Sequence, residues 1–503
     1  MTLVEIVAGG LSGRRAGEAI AFQGIPYATA PRFAPPGPVP AWSGVRDAAA
    51  PGAAAPQPRR PAAVFTHGEL PGTDEQCLSL NVFAPGLDGR RPVFVWLHGG
   101  GFAIGHAGAS LYSGERLAEA ADAVIVTVNY RLGSLGWLGH PDLAAGPGAA
   151  ANWGLLDQIA ALEWVKENIA AFGGDPGEVT LAGQSAGALS AMDLLVAPRA
   201  AGLFRRAVLQ SPPLGDVAQA PEIAAHWAEA LSAAAGGTGE FDAPHLRGLD
   251  MERIVALHEE LLEQPAFRGT RGGALPTLDP GSLPASPIQA PGAGPGVDVL
   301  IGHTAQEGTF FFRAPWRPSP PPERIPGVVA HLCHTEDPDA VLERYRERAV
   351  AAGALSDPVS LLVEIATDAM VAEPLTAWAA ARAEAVGGRS AVHRYRVDHP
   401  GAGPELGATH TVEVPLLFGT WQDGGPGERL GGQAPGAGAV SAELVTAWRR
   451  FVHGDGPGWS PVASEGPGWS PVAPDRTPPD RTPPNIRVFG GPRHARLEIA
   501  EAR

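Results

Sequence analysis

Residues 178–189 read EVTLAGQSAGAL: an apolar approach, then a single serine, Ser185, set among glycine and alanine. If Glu178 to Ala182 form a buried strand and Ala186 opens a helix, the chain reverses over about two residues, and the apex takes a strained backbone conformation. Only small neighbours tolerate that. Gly183 and Gly187 let strand and helix approach closely, leaving Ser185 at the tip with its hydroxyl exposed and a helix N-terminus behind it. The stretch reads as a G-x-S-x-G nucleophile elbow. With glycine at 66 of 503 positions such a pattern also arises by chance, so the reading depends on the surrounding chain.

That chain supplies strands and helices in alternation. CLSLNVFAP (77–85), PVFVWLHGG (92–100), AVIVTVNYRLG (123–133), EVTLAG (178–183) and RRAVLQSP (205–212) are apolar runs of strand length. Between the third and fourth, Leu155, Leu156, Ile159, Leu162, Trp164 and Ile169 recur at helical spacing, and GGDP (173–176) ends the helix. Strands apolar throughout and separated by helices predict an α/β fold, a mostly parallel central sheet covered on both faces. Short strands precede it (VEIVAGGLSG, 4–13; EAIAFQGIPYA, 18–28), then a Pro/Ala-rich loop from Pro31 to Ala63. Residues of about 219–292 read as a helical and loop insertion, followed by a strand (GVDVLIGHT, 296–304), helices over 337–386, a strand (SAVHRYRVDH, 390–399) and a closing helix (441–454). The tail duplicates GPGWSPVASE (456–465) as GPGWSPVAPD (466–475), a Gly/Pro-rich surface loop over about 454–484. The whole, 1–503, is expected to be a single catalytic domain with a core over about 5–455.

Bulk properties exclude several functions. A formal charge of −16 without clustered basic residues argues against nucleic acid and anionic membranes as partners. Lys166 is the only lysine, which together with the Ala, Gly and Pro excess reflects coding bias. The two cysteines, Cys77 and Cys333, form no disulfide framework, and Cys77 reads as a buried free thiol. There is no H-E-x-x-H, C-x-x-C or P-loop, so neither a metal nor a cofactor is implied. The N-terminus lacks a basic region followed by a long apolar run, and no run of about 18 apolar residues occurs, so a cytoplasmic location is expected.

An elbow serine needs a base, an acid to orient it, and donors for an oxyanion. WLHGGGFAIG (96–105) closes a strand with three glycines, whose N–H groups can face developing negative charge. Gly100 and Gly101, with the N–H of Ala186, are the expected hole. In these stretches, and in FQGIPYA (22–28), EQCLSLNV (75–82), NYRLG (129–133), 152–188, IGHTAQEG (301–308) and GATHTVEVPLLFG (407–419), the chain resembles the type B carboxylesterases, the α/β-hydrolase family that also contains cholinesterases. The resemblance implies a Ser-Glu-His triad: Ser185 as nucleophile, Glu307 as acid and His410 as base. The chain order agrees with that of α/β-hydrolases generally. Among the histidines after Glu307, His331, His334 and His453 lie in helical contexts, His399 precedes a proline, His494 is in the tail and His393 sits in a strand. His410 follows a strand in a Gly-containing loop.

The expected activity is a serine carboxylic-ester hydrolase working through an acyl-enzyme on small or medium apolar esters, as a monomer or weak oligomer. The alternatives are a carbamate or amide hydrolase with the same triad, and a binding-only scaffold of the same fold, which would typically lose the serine. Gln184 stands where the family often has Glu, which weakens the case for cationic substrates. Phe102, Gln184, Trp137, Trp153, Phe310, Phe418 and Trp421 are the candidates to line the substrate pocket.

Overall fold

The computed structural model describes residues 2–143, 152–214, 218–239, 241–264, 267, 275–462 and 486–490. Its strands are β1 (Thr2–Ile6), β2 (Gly9–Ala16), β3 (Ala19–Pro26), β4 (Val45–Asp47), β5 (Ser79–Ala84), β6 (Arg91–Leu97), β7 (Val124–Val128), β8 (Gly174–Gln184), β9 (Arg206–Gln210), β10 (Asp298–Thr304), β11 (Val392–Val397) and β12 (Ile486–Phe489). Among the described residues they form a 12-stranded sheet in the order β1-β2-β3-β5-β7-β6-β8-β9-β10-β11-β12, with β4 beside β2. From β7 to β12 every neighbouring pair is parallel, while β1, β2, β3 and β5 join antiparallel.

The central strands are buried on both sides because each alternates between two cores. Val93, Val95 and Leu97 of β6 enter one, and Phe94 and Trp96 the other. Val124, Val126 and Val128 of β7 follow the first pattern, Ile125 the second. The long helix between β7 and β8 runs over Trp153–Asn168 and ends through a 3-10 turn at Gly173, whose φ of 75° needs glycine. Strand β8 begins at Gly174, earlier than its apolar part alone predicts.

Helices Pro221–Ala234, Ala243–Gly248 and Met251–Leu262 occupy the expected insertion. Helices Ile325–Cys333, Pro338–Ala351 and Pro358–Thr367 enclose a third small core around Val329, Leu342, Tyr345 and Ile365. The Pro31 to Ala63 stretch contains two elements that periodicity does not show, β4 and the start of helix Pro61–His67. Of the duplicated loop expected at 454–484, residues 463–485 lie outside the described residues. No helix among the described residues is long and apolar enough to cross a membrane. Parallel strands β6, β8, β10 and β11 all deliver their C-terminal ends to one edge of the sheet, where open α/β sheets gather their functional loops.

Candidate active site

Strand β8 ends at Gln184 and helix Ala186–Val196 begins at once, so Ser185 alone makes the turn, at φ 57° and ψ −123°. A non-glycine residue held there stores roughly 1–3 kcal/mol, and its surroundings must fix it. They do so through the Ser185 N–H, which donates to Gln210 O at 2.9 Å, and through close packing. A Cβ on Gly183 would lie 2.3 Å from the Gly187 backbone, and one on Gly187 2.0 Å from Leu97 O. Both elbow glycines are therefore demanded by the approach of strand, helix and the neighbouring β6.

The glycine loop after β6 borders the serine. A Cβ on Gly99 would fall 3.1 Å from Ser185 Cβ, and Gly100 and Gly101 take φ values of 120° and 63°. The N–H groups of Gly100, Gly101 and Ala186 donate to no described residue. The last of them, on the residue after Ser185, lies at the positive end of a helix.

Glu307 opens the short helix Glu307–Phe312 and is fully buried. Gly308 is helical, and a Cβ there would lie 2.3 Å from Val363 O. The Thr304 N–H donates to one Glu307 oxygen at 2.7 Å, and His410 Nδ1 meets the other at 2.5 Å. Burial alone would push this carboxyl up; its electrostatic pairing with His410 and hydrogen bonds from His410, Ser211 and Thr304 bring it below its ordinary value. It is an anion holding the imidazole. Asp298, at the other end of β10, instead accepts from Ala391 N–H at 2.7 Å.

His410 reaches Glu307 because two loops are stitched together. Gln306 N–H donates to Ala408 O at 2.9 Å and the Gln306 side chain accepts from Ala408 N–H at 3.0 Å, while Gln306 and Thr409 pair as an isolated bridge. A short helix, Gly403–Leu406, separates His410 from β11, so the histidine does not directly follow a strand. With Nδ1–H donated to Glu307, Nε2 carries the lone pair, and Gln184 Nε2 stands 3.0 Å from it. The site thus brings Ser185, Gln184, Glu307 and His410 together at the sheet edge.

The aromatic expectations need correction. Phe310 packs against the His410 ring at 5.4 Å, as does Phe311, which the sequence reading did not single out. Trp316 continues this half-buried rim, 5.1 Å from Phe310 and 4.4 Å from Phe65. Phe102 and Trp137, by contrast, are fully buried against one another, and Trp153 lies in the same core. Phe418 sits between Phe94, Trp96 and Tyr112, and Trp421 packs on that second core. Burying their large apolar area decided their place.

Glu413, also passed over, is buried one turn beyond His410 and accepts from Ser211 at 3.4 Å. Burial, with the nearby Glu307 charge, pushes it up to about 8. Its signal was a carboxylate inside the apolar run TVEVPLLF (411–418). Ser134 and His258 form a serine–histidine contact at 2.8 Å away from the elbow, but Ser134 also accepts from Trp227 at 3.3 Å, sits in a regular helix, and both residues are buried. Cys77 is a free, fully buried thiol pushed up to about 12, chiefly by burial.

The sequence matches the carboxylesterase family over residues 1–481. It is 36% identical over 418 residues to the para-nitrobenzyl esterase of Bacillus subtilis (strain 168), covering 79% of each chain. It is 34% identical over 432 residues to a phenmedipham hydrolase of Pseudarthrobacter oxydans, covering 83% of this chain and 82% of that one. A solved PNB esterase structure superposes with a TM-score of 0.76 at 32% identity over 91% of both chains.

Proposed function

The chain belongs to the carboxylesterase family and is a carboxylic ester hydrolase, and from that premise we propose that Ser185, His410 and Glu307 are its nucleophile, base and acid. The observation that carries the reading is the 2.5 Å contact between His410 Nδ1 and a buried, ionised Glu307, beside a strained serine at an elbow. Glu307 fixes the tautomer, so Nε2 accepts the Ser185 proton as Oγ attacks the ester carbonyl. The carbonyl oxygen becomes an oxyanion held by the N–H groups of Gly100, Gly101 and Ala186. On collapse, the C–O bond to the leaving alcohol breaks, and the imidazolium returns its proton to that oxygen. Water, deprotonated by the same nitrogen, then releases the acid and regenerates Ser185.

Phe310, Phe311 and Trp316 make the entrance apolar and aromatic, which supports small aryl or short-acyl esters as the substrate class. Because the loops and helices that carry the site all extend from strands of one sheet, the chain is read as one catalytic unit. The test is Ser185→Ala against p-nitrophenyl butyrate. Loss of kcat by at least about 10³-fold at an unchanged melting temperature is expected. Retained turnover would refute the assignment.

A further inference from the structure

The surroundings of Gln184 give it a narrower role than lining the pocket. Its side chain is buried, and its amide nitrogen, 3.0 Å from His410 Nε2, makes its only hydrogen bond among the described residues. In the neutral imidazole with Nδ1 donating to Glu307, Nε2 has a lone pair and no proton, so in that form Gln184 is the donor. That lone pair is the one Ser185 must use. The Ser185 hydroxyl, however, has no hydrogen-bond partner among the described residues.

The fold leaves room for this arrangement. A Cβ on Gly99 would lie 2.7 Å from the Gln184 side-chain oxygen, so the first glycine after His98 opens the space in which the amide lies. Gln184 is anchored at the last position of β8, in register with Gln210, so its backbone cannot drift. Resting on the triad reading above, we propose that Gln184 is a positioning residue: its amide N–H holds the neutral His410 imidazole in the resting enzyme and yields the lone pair to Ser185 when an ester enters. A hydrogen bond of this kind contributes about 0.5–1.5 kcal/mol net, small enough for substrate binding to displace.

The identity of this side chain then matters for pH dependence. An amide donor stabilises the unprotonated ring, whereas a carboxylate at the same place would stabilise the imidazolium. Other ionisable groups around the pair are Glu307, Glu413 from the helix after His410, His303 of β10, Tyr395 of β11 and His98 at the end of β6. Glu413, up at about 8, and His98, down at about 3, both mainly through burial, are uncharged through the acid limb of an esterase profile. His303 is pushed down by burial, and Tyr395 is held well above its ordinary range for the same reason.

The experiment measures kcat/KM for p-nitrophenyl butyrate from pH 5 to 9 in the parent, Gln184→Glu, Gln184→Leu and Ser185→Ala, with melting temperatures alongside. Gln184→Glu is expected to move the acid limb up by about one pH unit or more, lowering kcat/KM roughly tenfold below the limb and largely recovering above it. Gln184→Leu is expected to move it the same way by less, since the amide donor to the unprotonated ring is gone and no carboxylate replaces it. Acid limbs that coincide in all three active forms, or a Gln184→Leu plateau that drops without a limb shift, would overturn the proposal and leave Gln184 a lining residue. Persistent turnover in Ser185→Ala would instead overturn the triad reading on which it rests.

Discussion

At the scale of the residue, the contact between Glu307 and His410 decides most. Both side chains are buried, and the carboxylate is further tied by the Thr304 N–H, so its replacement should alter the charge opposite the imidazole more than the fold. Glu307→Gln is expected to lower kcat by roughly 10³ to 10⁴, the scale for losing the group that orients a catalytic histidine. Asp298→Asn, at the far end of β10, should leave kcat within about twofold of the parent, because exposed or remote substitutions act weakly. Steady-state kinetics on both variants checks the choice of carboxylate; the opposite ranking would show it to be wrong. These residues were legible from chain order and motif. What was not legible was the partner of Nε2, because adjacency of Gln184 to the serine along the chain says nothing of where its amide points. Nor could the sequence separate Phe310 from Phe418, since apolar rings follow the same burial physics at a pocket wall and in a core.

At the scale of the element, buried polar links position the loops. Arg131, in the NYRLG stretch, meets Asp157 of helix Trp153–Asn168 through two guanidinium contacts, at 2.7 and 2.8 Å, and its backbone N–H also reaches Asp157 at 3.1 Å. The strand and the helix could each be read from apolar spacing, but the pair joining them could not, because contact between distant segments leaves no periodic trace. Asp157→Ala would strand a buried guanidinium and is expected to cost about 3–5 kcal/mol, read from the denaturant midpoint. A second consequence concerns acid. His67, His98 and His106 lie buried in helix Pro61–His67, at the end of β6 and in the loop beyond it; burial first of all holds His98 down at about 3, His106 at about 4 and His67 well below its ordinary value. Their folded values lie below the unfolded one, so the unfolded chain binds more protons under about pH 6.5, and each imidazole removes about 1.4 kcal/mol of stability per pH unit until its folded value is reached. Neither ring nitrogen of His106 has a hydrogen-bond partner among the described residues, so His106→Phe should leave stability at pH 7 nearly unchanged and flatten the loss between pH 6.5 and 5. Thermal melts across that range check it; an unchanged slope would contradict the burial argument.

At the scale of the whole molecule, the alternation of apolar strands with helices was enough to anticipate a mostly parallel sheet, because strands buried on both faces must be apolar throughout. The antiparallel entry through β1, β2, β3 and β5 and the extra helical core around Tyr345 were less visible, since short strands and helices outside the main sheet carry weaker periodicity. At the assembled sheet edge the half-buried rings of Phe310 and Phe311 pack against His410, and small aryl or short-acyl esters are the substrates proposed for the site. Hydrolysis of p-nitrophenyl acetate and butyrate is therefore expected to exceed that of emulsified long-chain triglycerides, and the reverse order in a parallel assay would contradict it. The proposed chemistry rests on one reactive oxygen, and intact-protein mass spectrometry after treatment with a fluorophosphonate tests it most directly. The parent enzyme should gain a single adduct that maps to Ser185 and abolishes turnover, and Ser185→Ala should gain none; an adduct on Ser185→Ala, or full labelling of the parent at another residue, would contradict the central claim.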